Sequence, residues 1–224
     1  QAEIVADVGQ WLPGVRLLVC PTYYSFDPVL EKYFGRMPTD YWPQLGRELP
    51  TDSGIFWTGN KVCSDAISAS DVEAIVGQLA RPVILWDNYP VNDGPQMSRF
   101  LHLRGFTGRP GAIAPCVAAH AINPALQPHL SLIPAATLVA SYRDGPAYCY
   151  MNAFKAAACA TAGQELAGML ETDLHALQDC GLDQLGDDLD RLRQRYAAVV
   201  HPVAAEMLRW LEGSDTVDGW VEDA

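Results

Sequence analysis

The sequence predicts an α/β fold: the second half of a (β/α)8 TIM-type barrel, four parallel strands with their helices, followed by an α-helical bundle. Three observations carry that expectation. Short apolar runs alternate with helical periodicity over the first two-thirds of the chain, the pattern of a parallel sheet with right-handed crossovers. Each run ends in a polar or aromatic cluster, as the rim of a barrel that carries a site would. From residue 146 strand-like runs vanish and leucines recur at helical spacing. Residues 1–145 therefore read as the half-barrel and residues 146–224 as a helical domain with an acidic tail.

Residues 2–12 read as the end of an amphipathic helix, closed by Pro13-Gly14. A first strand is expected over 16–20, then a helix over 39–48 with Thr39 as its cap. A second strand over 54–57 empties into Thr58-Gly59-Asn60. Ser68 and Ser70 precede a helix running to Leu79, with Ile75 and Leu79 on one face. The third strand, 82–85, is apolar throughout and then turns into Trp86, Asp87 and Asn88, before Pro90 breaks regular structure. The fourth run, 116–122, ends in Asn123-Pro124, and a helix follows to Tyr142. Beyond residue 146, Leu166, Met169, Leu170, Leu174, Leu177, Leu185, Leu189, Leu192, Tyr196 and Val200 mark helical faces, with Gly181 as a stop and a frayed tail past Gly213. Four strands are half of a barrel that takes roughly 250 residues, so the pattern reads as a chain that begins in mid-fold.

Composition narrows the partners. About half of the 224 residues are apolar (49%), enough for a sizeable core. A net charge of −12 argues against nucleic acid and disfavours a polyanionic substrate. The six cysteines form no C-x-x-C pair; reduced thiols are expected, with Cys20 and Cys116 packed as small hydrophobes. His120, His129 and His201 lack ligand spacing, so no metal and no cofactor is expected. No apolar run approaches the roughly 20 residues of a membrane span. The chain opens on Gln1 rather than Met, so an upstream segment lost or removed is compatible with it; localisation is open, the cytoplasm slightly favoured.

The third strand end suits a sugar, because a flat indole at Trp86 covers C–H faces while Asn88, Asn92 and Asp93 meet hydroxyls. The chain resembles family 84 of the glycoside hydrolases, the O-GlcNAcases and the related bacterial enzymes once named hyaluronidases. The matching stretches are Cys20-Pro-Thr-Tyr-Tyr24, Phe56-Trp-Thr-Gly-Asn-Lys-Val62, Leu85-Trp-Asp-Asn-Tyr-Pro-Val-Asn-Asp93 and Ile122-Asn-Pro124, in the family's order. One departure is Tyr23, where many relatives carry Glu.

The resemblance implies a role for each matching position. Tyr24 lines the pocket for the sugar's 2-acetamido group, Trp86 forms its aromatic wall, Asn88 bonds the acetamide, and Thr58 lies nearby. Asp93 grips the O4 and O6 hydroxyls, with Asn123 as a second ligand there. Asp93 should be held by backbone geometry, and Asp87, facing the other way, should matter much less to the sugar. The implied reaction is that of a retaining β-N-acetylglucosaminidase acting by substrate-assisted catalysis through an oxazoline. Its two consecutive catalytic aspartates end the fourth barrel strand in the family, which places them upstream of residue 1, so the chain alone is expected to be inactive. Asp187-Asp188, with Asp190, is the one acidic pair that imitates them, and its leucine spacing puts it on a solvated helix. The implied partners are an N-acetylglucosamine-bearing glycan or glycoprotein and either the missing amino-terminal half-barrel or a second copy, with no nucleic acid and no membrane. The alternative is a non-catalytic sugar-binding or degenerate homologue that lacks the acid pair.

Overall fold

The structure, a computed structural model, describes residues 1–217 and divides into two compact units. The first comprises Gln1–Asn88 and Gly108–Ile122; the second comprises Tyr89–Thr107 and the chain from Asn123 onward.

The first unit is built on a four-stranded parallel sheet whose spatial order follows the chain: β1 (Leu18–Val19), β2 (Gly54–Trp57), β3 (Val83–Asp87) and β4 (Val117–Ile122). Strands β2 and β3 lie in the middle, and Ile55, Trp57, Val83 and Leu85 are fully buried there. The strands at the sheet's ends are wetter, Leu18 being 52% exposed. Strand β1 is shorter than the expected 16–20: it covers Leu18–Val19, and Pro21 offers no N–H to extend a ladder. The fourth strand begins at Val117 because Gly111–Cys116 forms a 3-10 turn ahead of it.

The helices of this unit are α1 (Ala2–Trp11), α2 (Val29–Phe34), α3 (Tyr41–Glu48) and α4 (Ala69–Leu79). Helix α2 was not anticipated; at six residues it is too short to show a period, and it starts where Asp27 Oδ1 accepts the Val29 N–H. The expected Thr39 cap is corrected to Asp40, which occupies the cap position of α3 without a side-chain bond, because the Tyr41 N–H turns back to Pro38 O. Ser68 does cap α4, in a reciprocal box: its hydroxyl accepts the Asp71 N–H and the Asp71 carboxylate accepts the Ser68 N–H. Helices α3 and α4 meet where Gly46 lies against Leu79; a Cβ on Gly46 would come within 2.2 Å of the Leu79 carbonyl oxygen. Arg81 then fastens the exit of α3 by donating to the carbonyls of Gly46, Leu49 and Pro50.

The second unit is helical: α5 (Pro128–Asp144), α6 (Tyr150–His175, bent at Gly163), α7 (Asp188–Ala197) and α8 (Pro202–Leu211). Gly181 ends the wider turn that follows α6, as expected of a stop, with φ at 73°. Leu166, Leu170, Leu174, Leu177, Leu185, Leu192 and Tyr196 are buried together with Trp210 and Met207, while Met169 and Leu189 are partly buried against that cluster. Val200 corrects the expected stripe: α7 ends at Ala197, and Val200 sits fully exposed in the connector before Pro202. The frayed tail is corrected up to residue 217: Asp215 pairs with Arg209 and accepts from Gln127, and the Val217 N–H reaches Ser98 Oγ. The rest of the acidic tail lies outside the described residues.

One buried carboxylate organises this unit. Glu206 of α8 accepts the N–H groups of His129 and Leu130 at the start of α5 and a bond from the His129 ring, at 2.6–3.0 Å. It supplies the cap that no residue of α5 provides. Glu206→Ala should therefore lower the unfolding free energy by about 1.5–3 kcal/mol, the worth of charge-assisted bonds whose donors would otherwise be stranded. Chemical denaturation of the two proteins measures this, and a loss below about 0.5 kcal/mol would remove Glu206 from that role.

Candidate functional site

Alternation along two neighbouring strands builds the site. On β2, Ile55 and Trp57 turn into the core, which leaves Phe56 and Thr58 on the other face. On β3, Val83, Leu85 and Asp87 are buried, which leaves Trp86 and then Asn88 on the face shared with Phe56. The result is a pocket of about 290 Å³ lined by Cys20, Tyr24, Phe56, Thr58, Trp86 and Asn88. Four of the six expected site residues (Tyr24, Thr58, Trp86 and Asn88) are thus brought together.

The wall is rigid. Trp86 stands edge-on to Phe56, ring centroids 5.2 Å apart, and its indole N–H donates to Asn88 Oδ1 at 3.1 Å. Asn88 Nδ2 donates to the Val62 carbonyl at 2.8 Å, so both ends of the amide are oriented. Thr58 donates its hydroxyl to Lys61 O and its N–H to Tyr24 O, tying the loop after β2 to the segment after β1. Burial, then the neighbouring Cys20, Cys63, Asp27 and Tyr33, push the Tyr24 phenol above its ordinary pKa, so it remains a neutral hydroxyl. The arrangement offers an aromatic face, an amide and a hydroxyl, which suits a small group with both a methyl and an amide.

On the other face of β3, Asp87 is held in a buried cluster. Arg109 Nε and Nη2 donate to its two carboxylate oxygens at 2.6 and 2.8 Å, and His120 Nε2 lies 3.1 Å from Oδ2. Burial opposes ionisation of Asp87, but the Arg109 and His120 bonds and charges together outweigh it and hold the pKa below the ordinary carboxylate value. Asp87 does face away from Trp86, yet it is far from inert, and an Ala there would strip a buried ion pair.

Asp93 and Asn123 belong to the second unit and are not among the residues lining this pocket. Asp93 is exposed and Asn123 half-buried. Next to Asp93, the fully buried Asn92 donates to Phe100 O and Gln127 Oε1 and accepts the Leu126 N–H, which pins the backbone at that point. Asp187 and Asp188 lie exposed at the start of α7, where Asp188 pairs with Arg191.

The sequence reading missed Arg109, the part played by His120, and the Val62 carbonyl. Arg109 stands in an aperiodic Gly-Arg-Pro turn, and a backbone acceptor has no side-chain signature. The expectation that Cys20 packs as a core hydrophobe is corrected: its residue is exposed and lines the pocket, and Cys116 is half-buried. Tyr23, the departure from the family pattern, is buried and donates its hydroxyl to the carbonyls of Phe34 and Gly35 at the end of α2. Among the described residues no helix is long and apolar enough to cross a membrane, and no group of His, Cys, Asp or Glu is arranged to hold a metal.

Comparison with known proteins gives a consistent answer. A protein-family model described as beta-N-acetylglucosaminidase matches residues 1–176. The chain is 26% identical over 145 residues to the protein O-GlcNAcases of Rattus norvegicus and Mus musculus, a match that covers 64% of this chain and 15% of each relative. A mutant of the O-GlcNAc hydrolase of Thermobaculum terrenum superposes with a TM-score of 0.71 at 26% identity, over 95% of this chain and 52% of that one. The structure of CpGH84B shares the fold at 18% identity, with a TM-score of 0.67 over 95% of this chain and 44% of that one. The chain therefore spans about half the length of the solved relatives and a smaller part of the mammalian ones.

The lowered pKa of Asp87 sets a pH dependence. Its contribution to stability is present above the unfolded value of 3.8 and is lost as pH falls through the lower folded value. Asp87→Asn should be less stable than the parent by about 3–5 kcal/mol near neutrality, with the gap narrowing as the pH falls from 3.8 through the lower folded value. Denaturant titrations across the acid range measure it; a gap that stays constant with pH would mean that the carboxylate charge is not what stabilises the cluster.

Proposed function

The chain belongs to the beta-N-acetylglucosaminidase family, and from that premise we propose that it supplies the sugar-binding half of a retaining, O-GlcNAcase-like β-N-acetylglucosaminidase. The observation that carries the proposal is the pocket in which Trp86 and Asn88, bonded to each other, stand beside Tyr24 and Thr58. An indole face packs a methyl group well, while an oriented amide and a neutral phenol meet a carbonyl or N–H. A 2-acetamido group presents that combination, and a plain hydroxyl does not.

The proposed reaction uses the substrate's own acetamide. Its oxygen attacks the anomeric carbon as the glycosidic bond breaks, giving an oxazoline, which water then opens with net retention. The pocket's part is to hold the acetamide in a near-attack position. Proton transfers fall to a pair of consecutive aspartates, one orienting the acetamide N–H and the other protonating the leaving oxygen and later activating water. We place that pair in sequence preceding residue 1. The only consecutive aspartates here, Asp187-Asp188, are solvent-exposed on a surface helix. Asp93 and Asn123 are proposed, each in its own right, as ligands for sugar hydroxyls. The assignment of residues 1–145 to the barrel and 146–224 to a helical domain belongs to the same proposal, as does the complementary half-barrel as partner for the end strands β1 and β4.

The purified chain should bind methyl N-acetyl-β-D-glucosaminide in preference to methyl β-D-glucoside, and Asn88→Ala should cut that preference by about tenfold, one good hydrogen bond's worth. Calorimetry decides this; equal affinity for the two glycosides would contradict the pocket assignment. Asp93→Ala should weaken binding of the acetamido glycoside by about tenfold or more with the fold intact, from the loss of charge-assisted bonds. The chain alone should not release an aryl aglycone, and adding a segment that carries the aspartate pair should restore turnover, to which general acid catalysis alone contributes about 10²–10⁴-fold. Robust hydrolysis by the chain alone would place the acid within it.

A further inference from the structure

The pocket wall is hydrogen-bonded to a loop, and the loop to a buried guanidinium. Arg109 uses three nitrogens on four acceptors: both oxygens of Asp87 on β3, and the carbonyl oxygens of Ser64 and Asp65, each at 2.6 Å. Its side chain is 4% exposed and that of Asp87 2%, so the contact is dry. The neighbouring backbone is fitted to the same loop. Gly108, at φ 69°, accepts the Ile67 N–H, and a Cβ there would come within 2.7 Å of Asp65 O. At the loop's other end Gly59, at φ 108°, leaves room for Ser64 Oγ, which donates to Thr58 O and accepts the Lys61 N–H. Between these two fixed points stands Val62, whose N–H goes to Asp27 and whose carbonyl receives Asn88 Nδ2.

We propose that Arg109, paired with Asp87, which His120 also bonds, is a positioning residue that sets the orientation of the Asn88 amide through the loop at residues 59–67, and thereby the selectivity of the pocket for an acetamido sugar. The selectivity part rests on the functional reading above; the positioning part does not. Arginine is required rather than any cation, because four acceptors in two directions need a planar fork, and a lysine ammonium has three donors on one atom. Asn88 is the receiving end because it is the pocket residue whose amide the loop's Val62 carbonyl holds while Trp86 holds the amide's other end.

The test separates geometry from charge and from general stability. Arg109→Lys keeps the charge. It should weaken binding of methyl N-acetyl-β-D-glucosaminide by about tenfold or more while changing methyl β-D-glucoside binding by less than about twofold. In an Asn88→Ala background the same substitution should change either affinity by less than about twofold, because the residue it acts through is gone. In the sugar-free protein, Arg109→Lys should also shift the Trp86 indole ¹⁵N–¹H resonance, which reports the bond to Asn88, and Asn88→Ala should shift it too. Equal losses for both glycosides, an undiminished loss in the Asn88→Ala background, or an unmoved indole resonance would overturn the proposal. If the parent protein shows no preference for the acetamido glycoside, the functional reading fails, and the indole resonance alone then decides whether Arg109 positions Asn88. Should Arg109→Lys not fold, His120→Gln, which removes one of the bonds on Asp87, carries the same comparisons with a smaller loss of about two- to fivefold.

Discussion

A carboxylate on the buried face of a strand has to be paired, and that requirement shapes the first unit. The period of two along β3 sends Trp86 and Asn88 to one face and Asp87 to the other. A lone charge there would be prohibitively costly, so Arg109 arrives from the turn before β4 and His120 from β4 itself. Because the guanidinium has donors left over, the same pairing captures the carbonyls of Ser64 and Asp65. One strand residue that never lines the pocket thus ties three segments together behind it.

The second unit answers a similar demand at a helix end. Helix α5 begins with no capping side chain of its own, and its first N–H groups need an acceptor in a place where Leu130 is buried. Glu206 reaches them from α8, while Trp210 on the same helix donates its indole N–H to Ser98 O. Polar anchors of this kind fix the packing of helices whose apolar contacts alone would allow several arrangements. In both units a buried carboxylate sets the register, and the apolar core fills in around it.

The strands were legible because parallel strands buried on both faces are short apolar runs, and β2 and β3 have that form. The pocket residues Tyr24, Thr58, Trp86 and Asn88 were legible because they follow such runs directly. Three features were not. Helix α2 is too short to show a period, and β1 is cut short ahead of Pro21, which has no N–H to extend a ladder. Arg109 sits in a turn whose sequence carries no periodic signal, so nothing in the chain announces that it meets Asp87 across 22 residues. Val200 failed for the converse reason: helical spacing continues past Ala197, but Pro202 starts a new helix and leaves Val200 in the connector. Local pattern reports which face a side chain takes, and it is silent about which distant group will meet a buried charge.

The central claim is that the Trp86–Asn88 pocket receives the acetamido group of an N-acetylglucosaminide. A crystal structure of the protein with bound N-acetylglucosamine tests it most directly. The account predicts the acetamido methyl packed on the Trp86 indole and the acetamide within hydrogen-bond reach of Asn88. A sugar ordered elsewhere on the chain, or one whose acetamide points away from Trp86 into solvent, would contradict it.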